Sequence, residues 1–378
     1  MSNISWKRLA LDRDLDRSSH ALATLGSKVY IFGGEKEPRT PIDDLLYIVD
    51  LKDGTVATSA SKLRPSARVG AALTADKKRN LIYLWGGRQS KEMTPCDASL
   101  WVYDVAGDAW TEITADKDVG GDHQVPAERS YHCMTVLGDE VFLHAGCPAS
   151  GRLSTHHSLT LPVSSPAKCD NLPSAPEPGR GGTALCPLTL PASDASTSNQ
   201  VLVRYGGFAG HELGSSLDVY DPSQRIWSTL AFPPNSDSTP EARSVHALIP
   251  FSFQSTISKA GNIVALMLFG ERDPAPVELG HNGAGKFHSD VWALRYTPPL
   301  ADKDDFKGVD GVAGFSFERV RDERGVQSDT MVTPEPRGWF GADICEDAGG
   351  DKQVVVLGGL NGKNQRLGDL WLGELTES

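Results

Sequence analysis

Apolar residues in this chain fall in short runs separated by Gly, Asp, Asn and Pro, and no stretch of useful length repeats at the helical period. The clearest runs cover residues 29–32, 81–85, 141–144, 201–205, 263–269 and 354–357. Five of them end in a pair of small residues: Gly33-Gly34, Gly86-Gly87, Ala145-Gly146, Gly206-Gly207 and Gly358-Gly359. The run at 263–269 leads instead into Gly270-Glu271 and a long insertion. Upstream of each run stands an arginine in a small-residue setting: Arg17, Arg68, Arg129, Arg180, Arg243 and Arg337. A further apolar run follows each, at 45–50, 100–104, 157–161, 217–221, 290–295 and 369–372.

These are six copies of one unit, each predicted to fold as four short strands. Unequal spacing of the arginines fits blades with loop insertions rather than a strict solenoid. The pattern predicts an all-β, six-bladed β-propeller with four antiparallel strands per blade, forming a single domain over residues 1–378. Paired small residues suit strands that converge near the axis, where a Cβ would clash. The last unit lacks a fourth strand, and residues 4–9 have the form of the fourth strands at 109–113 and 226–230. The N-terminal strand is therefore expected to complete blade six and close the ring, removing two exposed sheet edges. Residues 190–200 and 301–314 read as loops, and 315–320 as the outer strand of blade five.

Composition narrows the functional classes. Of 378 residues 39% are hydrophobic, enough for a core, and the net charge is −12. That sign argues against a nucleic-acid binder and against docking on an anionic membrane. The six cysteines include no Cys-x-x-Cys pair, and the first residues lack the apolar core of a secretory leader. A cytoplasmic protein with reduced thiols is expected. No nucleophile elbow, phosphate loop or dinucleotide fingerprint is present.

Candidate chemistry concentrates in the insertion after residue 269. It carries Glu271, Asp273, Glu278 and His281 with glycines at 280, 283 and 285. Hard oxygen ligands and one imidazole on a glycine-rich loop are what an open divalent-metal site needs. The bland alternative is a solvated acidic loop. Arg-Ser-x-His triplets at 17–20, 129–132 and 243–246 are read as a repeat feature, with histidines satisfying backbone groups near the axis rather than binding metal. His156-His157 is expected to span a loop and the third strand of blade three, without a catalytic role.

The loops between blades resemble those of one group. Its motifs here are Arg17-Ser-Ser-His20, Pro41-Ile-Asp-Asp44, Gly86-Gly-Arg88, Arg129-Ser-Tyr-His-Cys-Met-Thr135 and Gly146-Cys-Pro-Ala-Ser-Gly-Arg-Leu153, continuing through Gly179-Arg-Gly-Gly182, Gly207-Phe-Ala-Gly210, Glu241-Ala-Arg-Ser-Val245 and Arg337-Gly-Trp339. Over nearly its whole length the chain resembles the kelch propellers of the nitrile-specifier, thiocyanate-forming and epithiospecifier proteins. The resemblance implies an Fe(II)-dependent, lyase-type reaction on the aglucone of a glucosinolate, a thiohydroximate-O-sulfate that loses sulfate to give a nitrile or related product. It implies iron ligands Glu271, Asp273 and His281, arginines Arg88 and Arg152 at the sulfate, and Trp339 framing the pocket. The spacing of the ligands here is two then eight, against four and four in the family, and Glu278 is a spare carboxylate. Two alternatives stay open: a kelch scaffold that binds a protein partner on its loop face, and a metal-dependent enzyme of other specialised metabolism. The substrate is expected to be a small anion; a homodimer is left open.

Overall fold

The computed structural model describes residues 2–377 apart from 115–124, 164, 192–197, 235, 255–260, 299–313, 323–332 and 347–349. Strand β1 (Ser2–Leu9) is followed by a meander of β2 (Ala21–Leu25), β3 (Lys28–Phe32), β4 (Leu46–Asp50) and β5 (Val56–Thr58). The second meander is β6 (Ala72–Asp76), β7 (Leu81–Trp85), β8 (Ser99–Asp104) and β9 (Ala109–Thr114); the third is β10 (Cys133–Leu137), β11 (Glu140–His144), β12 (His156–Thr160) and β13 (Asp170–Leu172). The fourth is β14 (Ala184–Pro191), β15 (Ser198–Tyr205), β16 (Ser216–Asp221) and β17 (Ile226–Ala231).

In the fifth, β18 (Ala247–Phe253) and β19 (Asn262–Leu268) precede a hairpin of β20 (Glu271–Asp273) and β21 (Lys286–Phe287), and β22 (Val291–Tyr296) and β23 (Phe315–Asp322) complete the sheet. The last contains β24 (Arg337–Gly338), β25 (Gly341–Glu346), β26 (Lys352–Asn361) and β27 (Arg366–Glu377). Along its whole length β1 pairs antiparallel with β27, from Ser2 opposite Glu377 to Leu9 opposite Leu370. The expected outer strand at 315–320 is β23. The expected loop at 190–200 is shorter than predicted, because β14 and β15 pair out to Pro191 and Ser198. The other loop, 301–314, lies almost wholly outside the described residues. Among those residues no helix is long and apolar enough to cross a membrane.

Alternation along each strand sends side chains to both faces, and each face is covered by the next sheet. The buried apolar residues accordingly form clusters between neighbours. One joins the first and second sheets through Tyr30, Phe32, Leu84 and Trp110, and another joins the first and last through Val29, Ile31, Val355 and Leu370. The first strands pack side by side in a cycle: β2 on β6, β6 on β10, β10 on β14, β14 on β18, β18 on β25 and β25 on β2.

The repeated arginines are ties between sheets, and they explain the small pairs. Each donates from Nη1 to the carbonyl of the first residue of its own sheet's pair, as Arg17 does to Gly33 and Arg68 to Gly86 (3.1 and 3.0 Å). The second residue of each pair donates its N–H to the arginine carbonyl of the next sheet, from Gly34 to Arg68 (2.9 Å) round to Gly359 to Arg17 (2.9 Å). A Cβ at Gly33 would run into the Arg68 carbonyl oxygen. Close approach between sheets, more than crowding within one, is what selects glycine. The fifth sheet has the same pair after all. It is Phe269-Gly270, with Phe269 held at φ +50° and its carbonyl accepting from Arg243 (2.9 Å). A bulky residue at a left-handed position hid the repeat.

Two residues beyond each arginine the backbone turns left-handed: Ser19, Gly70, Tyr131, Gly182, Val245 and Trp339 have φ between +45° and +64°. Their peptide groups form a closed circle. Gly70 donates to Ser19, Tyr131 to Gly70, Gly182 to Tyr131, Val245 to Gly182, Trp339 to Val245 and Ser19 to Trp339, at 2.7–3.1 Å. For β-branched Val245 this conformation costs about 1–3 kcal/mol, sustained because both of its peptide partners are fixed.

The histidines depart from expectation. His20, His132 and His246 are buried, yet no ring nitrogen among them makes a hydrogen bond. They serve packing rather than backbone groups: their rings fill space left by Gly358, Gly86 and Gly206 respectively. His156 and His157 both lie in β12, and both nitrogens of His156 also lack partners. Burial, reinforced by neighbouring positive groups, pushes His20, His132 and His156 down to about 3. An unfolded histidine takes its proton near 6.5, so between these values the unfolded chain binds more protons and stability must fall as the pH falls. The expected loss is about 2 kcal/mol per histidine at pH 5 relative to pH 7. Urea midpoints at the two values measure it; equal midpoints would contradict it. None of the six cysteines is in a disulfide, and four are buried.

Candidate active site

Loops leaving the second strands and entering the first strands enclose a cavity of about 540 Å³. Its floor is the hydrogen-bonded circle, with Ser19, Tyr131, Gly182, Val245 and Trp339 all lining it. Tyr131 and Trp339 meet edge to face with ring centroids 5.2 Å apart, giving the floor an aromatic corner. Arg88, Arg152 and Glu271 stand in the wall. Four of the six residues proposed from sequence therefore share one cavity, drawn from the second, third, fifth and last sheets.

The two arginines differ in what they have free. Arg88 donates from Nε to Ser130 Oγ (2.9 Å), from Nη1 to the Met93 carbonyl, and from Nη2 to the carbonyls of Cys147 (3.2 Å) and Pro148 (2.6 Å). With one of five N–H groups left, it acts first as a clamp on two loops. Arg152 is exposed, and its guanidinium lies over the Phe208 ring at 4.7 Å with no hydrogen bond to the described protein. It can bind an oxyanion with its full fork.

Glu271 opens β20 and is anchored by its backbone, which exchanges hydrogen bonds with Ser244 at 2.8 and 3.1 Å. Its side chain is 8% exposed and has no partner among the described residues. Burial alone pushes its carboxyl up to about 7. A Cβ at Gly285 would collide with Glu271 Oε1 and the Asp273 carbonyl, so this glycine makes room for the carboxylate. Asp273 is placed differently. Its side chain is 51% exposed and pairs with Arg272 (3.3 Å) and Lys286 (3.5 Å), outside the cavity lining. Glu278 is exposed near the loop tip, beside Val277 at 94% exposure. The backbone of His281 lies in a 3-10 turn, Gly280–Asn282, and Gly280 and Gly283 line the cavity. The His281 side chain lies outside the described residues. Among the described residues no three His, Cys, Asp or Glu side chains converge on one point.

Other polar groups at the cavity carry no local sequence signal. Glu35 accepts from the Arg39 N–H (2.7 Å) and from Arg366 Nη2 (3.3 Å), a pairing across 331 residues of chain. Glu212, outside the cavity lining but bridged through its backbone to Phe208, has both carboxylate oxygens buried and the Ser244 hydroxyl beside them. Burial is the main cause that pushes it up to about 8, with the charges of Glu271 and Asp273 adding to it.

Meander sheets tied by arginines and glycine pairs, with a site made from their connecting loops, define a kelch-repeat β-propeller. Residues 19–257 match the KLHDC2/KLHL20/DRC7 Kelch-repeats domain. The chain is 30% identical over 376 residues to N-(sulfonatooxy)prop-2-enimidothioate sulfolyase of Thlaspi arvense, covering 96% of this chain and 93% of that protein. It is 24% identical over 159 residues to the Rab9 effector protein with kelch motifs of Xenopus laevis, 40% of each chain. The solved structure of YjhT superposes with a TM-score of 0.61 over 97% of this chain and 99% of that one, at 12% identity, a likeness of fold alone. The chain belongs to the kelch family of the nitrile-specifier, thiocyanate-forming and epithiospecifier proteins.

Proposed function

We propose that this protein is an Fe(II)-dependent specifier protein, converting a thiohydroximate-O-sulfate to a nitrile with release of sulfate and of the thiolate sulfur as elemental sulfur, or to a related product that keeps that sulfur, on a single six-bladed propeller closed by β1. The observation that carries the reading is the presence, in one cavity, of a guanidinium with no hydrogen bond, Arg152, and a buried carboxylate with none, Glu271. A buried carboxylate with no donor fits a cation, since nothing else near it compensates its charge. By family resemblance Glu271, Asp273 and His281 would hold the iron, a mixed oxygen and nitrogen set that suits Fe(II) with open positions. Bound iron would supply a Lewis acid with affinity for the substrate's sulfur.

The chain's own residues do the rest. Arg152 holds the sulfate and stabilises its charge as the N–O bond breaks. Arg88 fixes the Met93 and Cys147-Pro148 loops around it and offers its remaining N–H. Trp339 and Tyr131 pack the apolar side chain of the substrate, and the hydrogen-bonded floor holds both rings in place. The name of the Thlaspi relative describes sulfolysis of such a compound, which supports the substrate class.

The test combines anaerobic Fe(II) titration with product analysis on allyl glucosinolate and myrosinase. Expected results are stoichiometric iron binding and nitrile formation that stops on chelation. A protein that neither binds iron nor changes the products would overturn the reading. It would favour a second one, a partner-binding scaffold, for which the exposed Val277 and Leu279 on the loop face speak.

A further inference from the structure

We propose that Arg39, assisted by Arg366, is a second anion-binding point in the cavity and selects a substrate whose side chain ends in a carboxylate. This rests on the specifier reading above for the first anion, the sulfate at Arg152. Arg39 lies on the loop between β3 and β4 and lines the cavity. The corresponding loop of the second sheet shows what the fold asks of that position. Both loops are bridged at the neck, Glu35 to Pro41 and Arg88 to Pro95. Both turn left-handed two residues before the proline, at Arg39 (φ +59°) and at Met93 (φ +60°). Methionine meets the same backbone requirement, so the loop has no need of a charge there. No neighbour uses that charge either. The Arg39 backbone N–H donates to Glu35, but among the described residues its guanidinium has no hydrogen-bond or ion-pair partner, and its Nε is withdrawn from solvent.

Glu35 is already committed. Its carboxylate accepts from Ser18 Oγ (3.4 Å), from the Arg39 backbone (2.7 Å) and from Arg366 Nη2 (3.3 Å). Arg366 and Glu35 therefore compensate each other, and the charge of Arg39 is left over. The Arg366 side chain is only 8% exposed and also lines the cavity. Its Nη1 donates to Asn364 Oδ1 (3.0 Å), while its Nε is buried without an acceptor. Two buried guanidinium N–H groups without acceptors, beside a positive charge that no carboxylate answers, favour an anion brought by the ligand. A carboxylate suits the planar fork of a guanidinium. Arg39 and Arg366 come from the first and last sheets, whereas Arg88 and Arg152 come from the second and third. A ligand reaching both pairs carries an anion at each end, and Tyr131 and Trp339 on the floor are there to pack the apolar link.

Calorimetry without turnover tests this with matched probes: butanesulfonate against sulfobutanoate, and longer homologues of each pair. The wild type is expected to prefer the carboxylated probe by about tenfold or more at one chain length. Arg39→Met should lose that preference, and Arg39→Lys should keep part of it. Equal affinities in the wild type at every length would remove Arg39 from the site and leave the sulfate role of Arg152 standing. A preference that survives in Arg39→Met would also overturn the proposal. If the wild type binds no probe of either kind, both anion points fall. Should Arg39→Met fail to fold by circular dichroism, the same comparison in Arg39→Gln decides. Product analysis then compares a thiohydroximate-O-sulfate ending in a carboxylate with its methyl ester, the acid being favoured in kcat/KM by a similar factor. Conversion of neither, with the binding preference intact, would sink the reaction and not the subsite.

Discussion

Glu271→Gln is expected to lower nitrile formation by roughly a hundredfold or more and to abolish its dependence on added Fe(II). The substitution is nearly isosteric, so the cradle around Gly285 should hold. What changes is charge. The wild-type carboxyl sits at about 7 because burial disfavours its ionised form, and nothing near it donates a hydrogen bond. A cation would restore the ionised form, and glutamine offers only a neutral oxygen in its place. The measurement is product ratio against iron concentration, with the urea midpoint as a control for folding. An unchanged iron response with an intact fold would remove Glu271 from the site. Loss of stability together with activity would instead mark it as structural.

The largest effect on stability is expected at Arg243. Its guanidinium is fully buried and donates to Asp290 at 2.8 and 3.1 Å, to the Phe269 carbonyl and to the Glu241 carbonyl. Burial would raise the Asp290 carboxyl, but the hydrogen bonds and charge of Arg243 outweigh it and hold it at about 2. Trp292 Nε1 donates to the same carboxylate (2.7 Å) and Arg337 repeats the arrangement with Asp369 and Trp371. Arg243→Met leaves Asp290 buried without its cation, at about 3–5 kcal/mol. It also frees the carbonyl of Phe269, held at positive φ next to the candidate site. Urea unfolding should show the loss, and Arg243→Met with Asp290→Leu should recover part of it, because removing both charges removes the desolvation problem. A single variant within 1 kcal/mol of wild type would show that the tie matters little.

The strands were legible because their signals are local. Period-two apolar runs, glycine pairs and a leading arginine each report one residue's immediate surroundings, and the form of residues 4–9 identified the strand that pairs with β27. Where a position broke its local rule, legibility failed. Phe269 stands where the other sheets have Gly or Ala, so the fifth unit seemed to lack its pair. His20, His132 and His246 looked like polar residues serving backbone groups, but their nitrogens are idle and only their shape is used. The cavity was half visible. Loop motifs pointed to Arg88, Arg152, Glu271 and Trp339, which do line one space. No spacing could have indicated that Arg88 is largely committed to carbonyls two loops away, or that Asp273 turns to Lys286.

The pairing of Ser2 with Glu377 has a consequence for how the protein is made. During synthesis residues 2–9 emerge hundreds of residues ahead of both strands they pair with, β23 at Arg321 and Asp322 and β27 at 370–377. Each earlier sheet can assemble from contiguous chain as it emerges, whereas the last cannot. Contacts of such sequence separation form late, because the entropy of closing so long a loop must be met before they contribute. The nascent chain therefore carries this β-strand unpaired through most of its elongation, a period when chaperone capture or misassociation with another copy competes with the final docking step.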